Sequence, residues 1–278
     1  MKIKFKNVCY CYDKKDKYAL KNINLEFSNN QITFILGHTG SGKSTLVQHL
    51  NGLLFPTSGE VDVEVNDVSY KVNAKEKRIK ELRKNVGLVF QFPENQLFES
   101  TVLKDVMVGP INFGYSEQEA EKLAKSSLTL LGIDQEYYQR SPFELSGGEK
   151  RKVAIAGVLA SKPKILVLDE PTSSLDNKST RDFFSVLERL KEKGIMIIIV
   201  SHDVNLCYEY ADRVLILSDG EIGYYGDYLN AFNNQKLLKD TNIEIPFVLK
   251  AKKKFGISKN VRNIKQLIEA IREESQDE

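Results

Sequence analysis

Hydrophobic positions along this chain follow more than one period, and each change of period marks a change of element. Met1-Lys-Ile-Lys-Phe-Lys6, Ile23-Asn-Leu-Glu-Phe27 and Val61-Asp-Val-Glu-Val65 alternate apolar with polar residues, the pattern of strands with one buried and one wet face. Residues 1–36 and 59–72 are therefore expected to build an antiparallel sheet. Denser apolar stretches read differently: Gln31-Ile-Thr-Phe-Ile-Leu36, Ile165-Leu-Val-Leu168 and Ile195-Met-Ile-Ile-Ile-Val200 suit strands covered on both faces. Helical spacing appears in Leu46, Val47 and Leu50, and again from Ser116 through Ala120, Leu123, Ala124 and Leu128 toward Gly132, with Ser116 and Glu119 in a capping-box pattern. Residues 92 to about 150 read as mostly helical. After Gly226, residues 230–240 and 263–273 are amphipathic helical candidates punctuated by Pro246 and Gly256. Lys250-Ala-Lys-Lys-Lys254 reads as a solvated basic turn.

The junctions between these elements carry chemistry. Gly37-His-Thr-Gly-Ser-Gly-Lys-Ser-Thr45 lies between a strand and a helix and matches GxxxxGK[ST]. Its glycines, Gly37, Gly40 and Gly42, let successive backbone N–H groups point inward, so the whole loop, including His38, Thr39, Ser41 and Thr45, is expected to cradle phosphates. Lys43 can reach the β- and γ-phosphates and the Ser44 hydroxyl can ligate Mg²⁺. The expected ligand is a nucleoside triphosphate. Further on, the apolar run from Ile165 ends in Asp169 and Glu170. Asp169 is then placed to hold Mg²⁺ through water, and Glu170 to polarise an attacking water. These two motifs leave a GTPase, a kinase and a transport ATPase open. Leu145-Ser-Gly-Gly-Glu149, followed by a helical pattern over residues 149–160, supplies a second anion-receptive helix N-terminus.

With this third motif the chain resembles the ATP-binding cassette (ABC) ATPases, whose signature is LSGGQ before a helix; here Glu149 replaces the usual glutamine. The resemblance implies an α/β fold: a P-loop NTPase core of ABC ATPase type with an antiparallel β subdomain, a helical subdomain and a small C-terminal α-rich appendage. The expected boundaries are 1–230 for the ATP-binding domain, about 92–156 for its helical subdomain and 231–278 for the appendage. It also implies that Ser146, Gly147, Gly148 and Glu149 close over ATP held by the phosphate loop of a facing subunit. Gln91 falls at the family's Q-loop position, where it senses Mg²⁺ and the attacking water. Ser174-Leu-Asp176 resembles the D-loop that crosses to the opposite protomer. His202 occupies the H-loop position and is expected to orient the γ-phosphate. The resemblance makes Tyr12 the candidate for stacking on adenine, with Tyr10 its local competitor, whereas His49 is read as structural. The expected catalytic set is Glu170, His202 and Gln91, and the Mg²⁺ set Ser44, Gln91 and Asp169.

Within the superfamily, Gly37 to Thr45 together with Phe90-Gln-Phe-Pro-Glu-Asn-Gln-Leu-Phe-Glu99 are similar to energy-coupling factor transporter ATPases. That likeness implies an ATP-hydrolysing motor paired with a second related ATPase, a heterodimer being expected and a homodimer possible. It implies further a transmembrane coupling protein and an exchangeable substrate-binding membrane protein, with vitamins or transition-metal ions as cargo. A soluble cassette ATPase of DNA repair or translation is the main alternative. It is disfavoured because no heptad array separates Lys43 from Ser146 and only one cassette is present. A scaffold that binds nucleotide without hydrolysis is disfavoured by Glu170 and His202.

Composition narrows the setting. Forty Lys and Arg against 38 Asp and Glu leave a net charge of +2, which provides no broad cationic field, so nucleic acid is not an expected partner. The apolar runs fall far short of the roughly 20 residues that span a bilayer, and the segment from Met1 lacks the apolar core of a secretory signal. The expected location is peripheral, at the cytoplasmic face of the cell membrane. Cys9, Cys11 and Cys207 offer no metal-ligand spacing beyond a lone C-x-C and are read as reduced and structural.

Overall fold

Covered strands and half-covered strands separate into two sheets. The computed structural model describes residues 1–13, 17–28, 30–173 and 175–274. The chain begins with β1 (Lys2–Tyr10), β2 (Leu20–Ser28), β3 (Ile32–Leu36), α1 (Lys43–Leu50), β4 (Ser58–Val65), β5 (Val68–Lys71), α2 (Ile79–Asn85) and β6 (Val86–Val89). A helical stretch follows, with α3 (Val102–Asn112), α4 (Glu117–Leu130) and α5 (Gly147–Ala160). Then come β7 (Ile165–Asp169), α6 (Asn177–Glu192), β8 (Met196–Val200), α7 (Val204–Tyr210), β9 (Arg213–Ser218) and β10 (Glu221–Asp227). Among the described residues, α8 (Tyr228–Asn233), α9 (Gln235–Asp240), α10 (Phe247–Lys254) and α11 (Ile264–Glu274) follow.

The antiparallel sheet runs β2-β1-β4-β5, and the second runs β10-β9-β3-β8-β7-β6, parallel except for β10. β3 ends the alternating 1–36 stretch yet joins the parallel sheet, because both of its faces are covered. One face of that sheet, carrying Ile35, Val167 and Ile198, packs with Phe5 and Phe27 of the antiparallel sheet and with Leu46 and Leu50 of α1. The other, carrying Phe34, Leu168 and Ile199, packs with Ala156 of α5 and Leu187 of α6. Burial on both faces is why β3, β7 and β8 are mainly apolar rather than alternating. The second core continues into the appendage through Leu238, Leu249 and Leu267.

Register places the functional junctions side by side. Ile35 and Asp169 both pair with Val200, and Leu168 pairs with Val89. The carboxyl ends of β3, β8, β7 and β6 therefore share one edge, where open α/β sheets bind ligands.

Helix α4 starts at Ser116 with the expected capping box: the Ser116 amide donates to Glu119 Oε2 at 2.9 Å. Two appendage expectations change. The basic run is the last turn of α10, where the exposed carbonyls of a helix C-terminus favour cations, and buried Val248 and Leu249 anchor that helix. The candidate over residues 230–240 is two helices, because the Asn234 side chain accepts the Leu237 amide at 3.0 Å and starts a new one. Helix α8 straddles the expected 230/231 boundary. Among the described residues no helix is long and apolar enough to cross a membrane.

Candidate nucleotide site

The loop from β3 to α1 is clamped so tightly that two of its positions exclude any side chain. A Cβ on Gly37 would stand 2.3 Å from the Leu217 carbonyl oxygen, and one on Gly42 2.6 Å from that of Ala19. Gly42, at φ +102, caps α1, and its carbonyl accepts the Leu46 amide at 2.8 Å. Lys43 Nζ donates to the carbonyls of Gly37 at 2.7 Å and His38 at 2.9 Å, arching its charge over the loop. Burial holds this ammonium below the usual lysine range, while Glu170 and Asp169 pull the other way. The loop is thus a partly desolvated cation facing the amide-rich start of a helix, an arrangement made for an anion.

The carboxylates of β7 meet the loop directly. Ser44 Oγ donates to Asp169 Oδ2 at 2.9 Å. Burial raises the Asp169 carboxyl, partly offset by this bond. Glu170 stands in the left-handed region at φ +50, and its amide donates to the Val200 carbonyl at 2.9 Å. Its Oε1 lies 2.8 Å from His202 Nδ1, so the residues after β7 and β8 are joined at the site. Gln91 follows β6, and the next residue, Phe92, is also left-handed at φ +55. Such a conformation costs a non-glycine residue about 1–3 kcal/mol, and Glu170 and Phe92, two of the ten described non-glycine residues that hold it, both lie at this sheet edge.

A cleft of about 940 Å³ opens here, within the range of small-ligand sites. It gathers Tyr12, Gly37, His38, Thr39, Gly40, Gly42, Lys43, Ser44, Thr45, Gln91, Asp169, Glu170 and His202. Ser41 is buried behind the loop. Tyr12 is 63% exposed, and its hydroxyl lies 2.9 Å from Thr45 Oγ1. Tyr10 is not among the cleft-lining residues; it packs edge-on against buried His49 at 4.9 Å. Residues 14–16, which follow Tyr12, and Ser174 of the expected D-loop lie outside the described residues.

The signature is elsewhere. Ser146, Gly147, Gly148, Glu149 and Asp176 are absent from the described lining of the cleft. Ser146 caps α5, its amide and hydroxyl donating to Glu149 Oε2 at 2.9 and 2.7 Å. In return the Glu149 amide donates to Ser146 Oγ at 3.4 Å. These bonds hold the Glu149 carboxyl below its usual range. The acidic residue is therefore engaged in a capping box, a role that glutamate and glutamine both fill. Asp176 caps α6, accepting the Ser179 amide at 2.7 Å.

Asn242, Ile243 and Glu244, between α9 and α10, also line the cleft, and no sequence motif marks them. They arrive because the appendage folds back on α7. Arg262 donates to the carbonyls of Tyr208 at 3.2 Å and Ala211 at 2.6 Å, and the Phe247 amide donates to Asn205 Oδ1 at 2.8 Å.

The donor set fits Mg²⁺. Ser44 and Asp169 are hydrogen-bonded partners in the same cleft as Gln91, and all three offer hard oxygen atoms. Among the described residues no cluster of three His, Cys, Asp or Glu forms a dedicated metal cage. Mg²⁺ is commonly held by one or two carboxylates together with substrate phosphates and water, and Asp169 beside the phosphate loop offers such a carboxylate.

A phosphate loop, a carboxylate pair and a histidine on adjoining strand ends, with a serine-capped glycine helix set apart from them, define a cassette ATPase. Residues 20–173 match the ABC transporter family, and the chain belongs to that family and hydrolyses ATP. Over 253 residues, 90% of each chain, it is 47% identical to the energy-coupling factor transporter ATP-binding protein EcfA2 of Streptococcus agalactiae, and equally to that of Streptococcus pyogenes. Among solved structures it is similar to cbiO1 from Clostridium perfringens, part of the ABC transporter complex cbiONQ. The TM-score is 0.74 at 34% identity, covering 90% of this chain and 98% of that one. The dimeric cassette MJ0796 in a post-hydrolysis state with ADP and Pi gives 0.71 at 32% identity, covering 81% and 98%. These likenesses place the ATPase in energy-coupling factor transport and do not favour DNA repair or translation.

Proposed function

We propose that this chain forms one half of a head-to-tail cassette pair at the cytoplasmic face of the membrane. There it drives a transmembrane coupling protein and an exchangeable substrate-binding protein that import vitamins or transition-metal ions. The observation that carries this reading is the separation of Ser146–Glu149 from a cleft that collects the phosphate loop, Gln91, Asp169, Glu170 and His202. A second copy or a related cassette, docked head to tail, supplies the missing helix N-terminus. The dimeric relative supports such a pairing.

The chain's own groups divide the work. Amides of the loop and Lys43 bind the β- and γ-phosphates, and Tyr12 stacks on the adenine. Ser44, Asp169 and Gln91 hold Mg²⁺, which when bound offsets the charge on the phosphate oxygens. Glu170 accepts a proton from the water that attacks the γ-phosphorus, as the bond from that phosphorus to the β,γ-bridging oxygen breaks and ADP leaves with inorganic phosphate. His202, whose Nδ1 lies 2.8 Å from Glu170 Oε1, hydrogen-bonds the γ-phosphate and fixes its orientation. Closure over ATP moves the segment after Gln91, which meets the membrane partner.

Purification of the tagged chain from membranes in mild detergent tests the assembly. It is expected to bring down a second, distinct cassette ATPase and a multi-span protein. Recovery with ribosomes or DNA instead contradicts the reading.

A further inference from the structure

Arg151 is the largest of the fully buried side chains, with 0% of its surface exposed, although it sits in the polar run Glu149-Lys-Arg-Lys152. Its guanidinium forks onto one carboxylate: Nε donates to Glu94 Oε2 and Nη2 to Glu94 Oε1, both at 3.2 Å. The remaining nitrogen, Nη1, donates to Ser173 Oγ at 3.1 Å and to the Pro171 carbonyl at 3.4 Å. Three segments that are distant in sequence therefore converge on one cation. Glu94 lies in the turn Pro93–Gln96, just after Gln91 and the left-handed Phe92. Arg151 lies in the early part of α5, the helix capped by Ser146. Pro171 and Ser173 lie one and three residues after Glu170.

Burial gives this junction its mechanical character. A buried guanidinium stripped of its carboxylate is strongly unfavourable, whereas a buried ion pair adds little net stability over an apolar packing of the same shape. The planar fork also fixes direction, since two parallel bonds to one carboxylate hold only in one relative orientation. The Gln91 segment, the signature helix and the loop after Glu170 thus cannot separate without leaving the charge unpaired. We infer that Arg151 is a positioning residue that carries displacement of the Gln91 segment to the loop bearing Glu170, so that hydrolysis answers to the membrane partner. The inference rests on the importer reading, because that partner is the source of the displacement.

The test compares ATP turnover of the full-length chain alone with that of the complex purified with its membrane partners. The variants are Glu94→Gln, Ser173→Ala, Arg151→Lys and Arg151→Met, each accompanied by KM for ATP and a thermal midpoint. Glu94→Gln is expected to leave turnover of the isolated chain within threefold and KM unchanged, while stimulation by the partners falls at least fivefold. Ser173→Ala falls in the same direction by less, and Arg151→Lys keeps part of the stimulation. Glu94→Gln combined with Arg151→Met is no worse than either alone, the non-additivity of a shared junction. If Arg151→Met fails to fold, Glu94→Gln and Ser173→Ala still decide. Unchanged stimulation in Glu94→Gln overturns the inference, as do equal proportional losses in the isolated and complexed chain, which indicate a structural role alone. A wild-type complex that shows no stimulation by its partners strikes the importer reading itself, and the inference with it.

Discussion

Glu170→Gln is expected to lower ATP turnover by about 10²- to 10⁴-fold, the range over which a positioned general base acts, while ATP affinity stays within threefold. The substitution keeps the shape of the side chain and its place after β7. The amide still reaches His202, whose Nδ1 lies 2.8 Å from Glu170 Oε1, but it cannot take a proton from water. ATP-bound dimers should accumulate as a result, visible as a shift to the larger species in size-exclusion chromatography with ATP and Mg²⁺. Steady-state phosphate release checks the rate. Turnover within fivefold of the wild type removes Glu170 from the role assigned to it.

Lys43→Ala is expected to act one step earlier, on binding. A hydrogen bond from a charged group contributes about 1.5–3 kcal/mol, which corresponds to roughly 10- to 150-fold weaker ATP binding. The loop also loses the two bonds that Lys43 makes to the Gly37 and His38 carbonyls, at 2.7 and 2.9 Å, so its shape relaxes and turnover falls further than affinity. Titration calorimetry with ATP in the presence of Mg²⁺ measures the first effect and phosphate release the second. Affinity within twofold of the wild type contradicts the placement of Lys43 on the phosphates.

Much of the site was legible because its residues stand at changes of hydrophobic period. The loop after β3, the carboxylates that end and follow β7, and His202 after β8 all adjoin apolar stretches whose burial on both faces dictates a parallel sheet. The start of α4 was legible for a local reason, since Ser116 and Glu119 cap the helix by themselves. Strand order was not legible, because it depends on which apolar faces meet across the fold. Arg151 was hidden for a similar reason: nothing within its own segment announces that its partner is Glu94, 57 positions away. The lysines of α10 suggested a turn because charge is visible in sequence, whereas the burial of Val248 and Leu249 that makes the segment a helix is tertiary. Asn242, Ile243 and Glu244 reach the cleft only through the appendage's contacts with α7.

On the proposed reading, one chain's phosphate loop and another chain's signature enclose a single ATP. The most direct measurement is a structure of the Glu170→Gln assembly loaded with ATP and Mg²⁺, read at one distance. Ser146 is expected within hydrogen-bonding range, about 3 Å, of the γ-phosphate held by the facing subunit's phosphate loop. A closed, ATP-loaded assembly in which Ser146 stands remote from every γ-phosphate would contradict it.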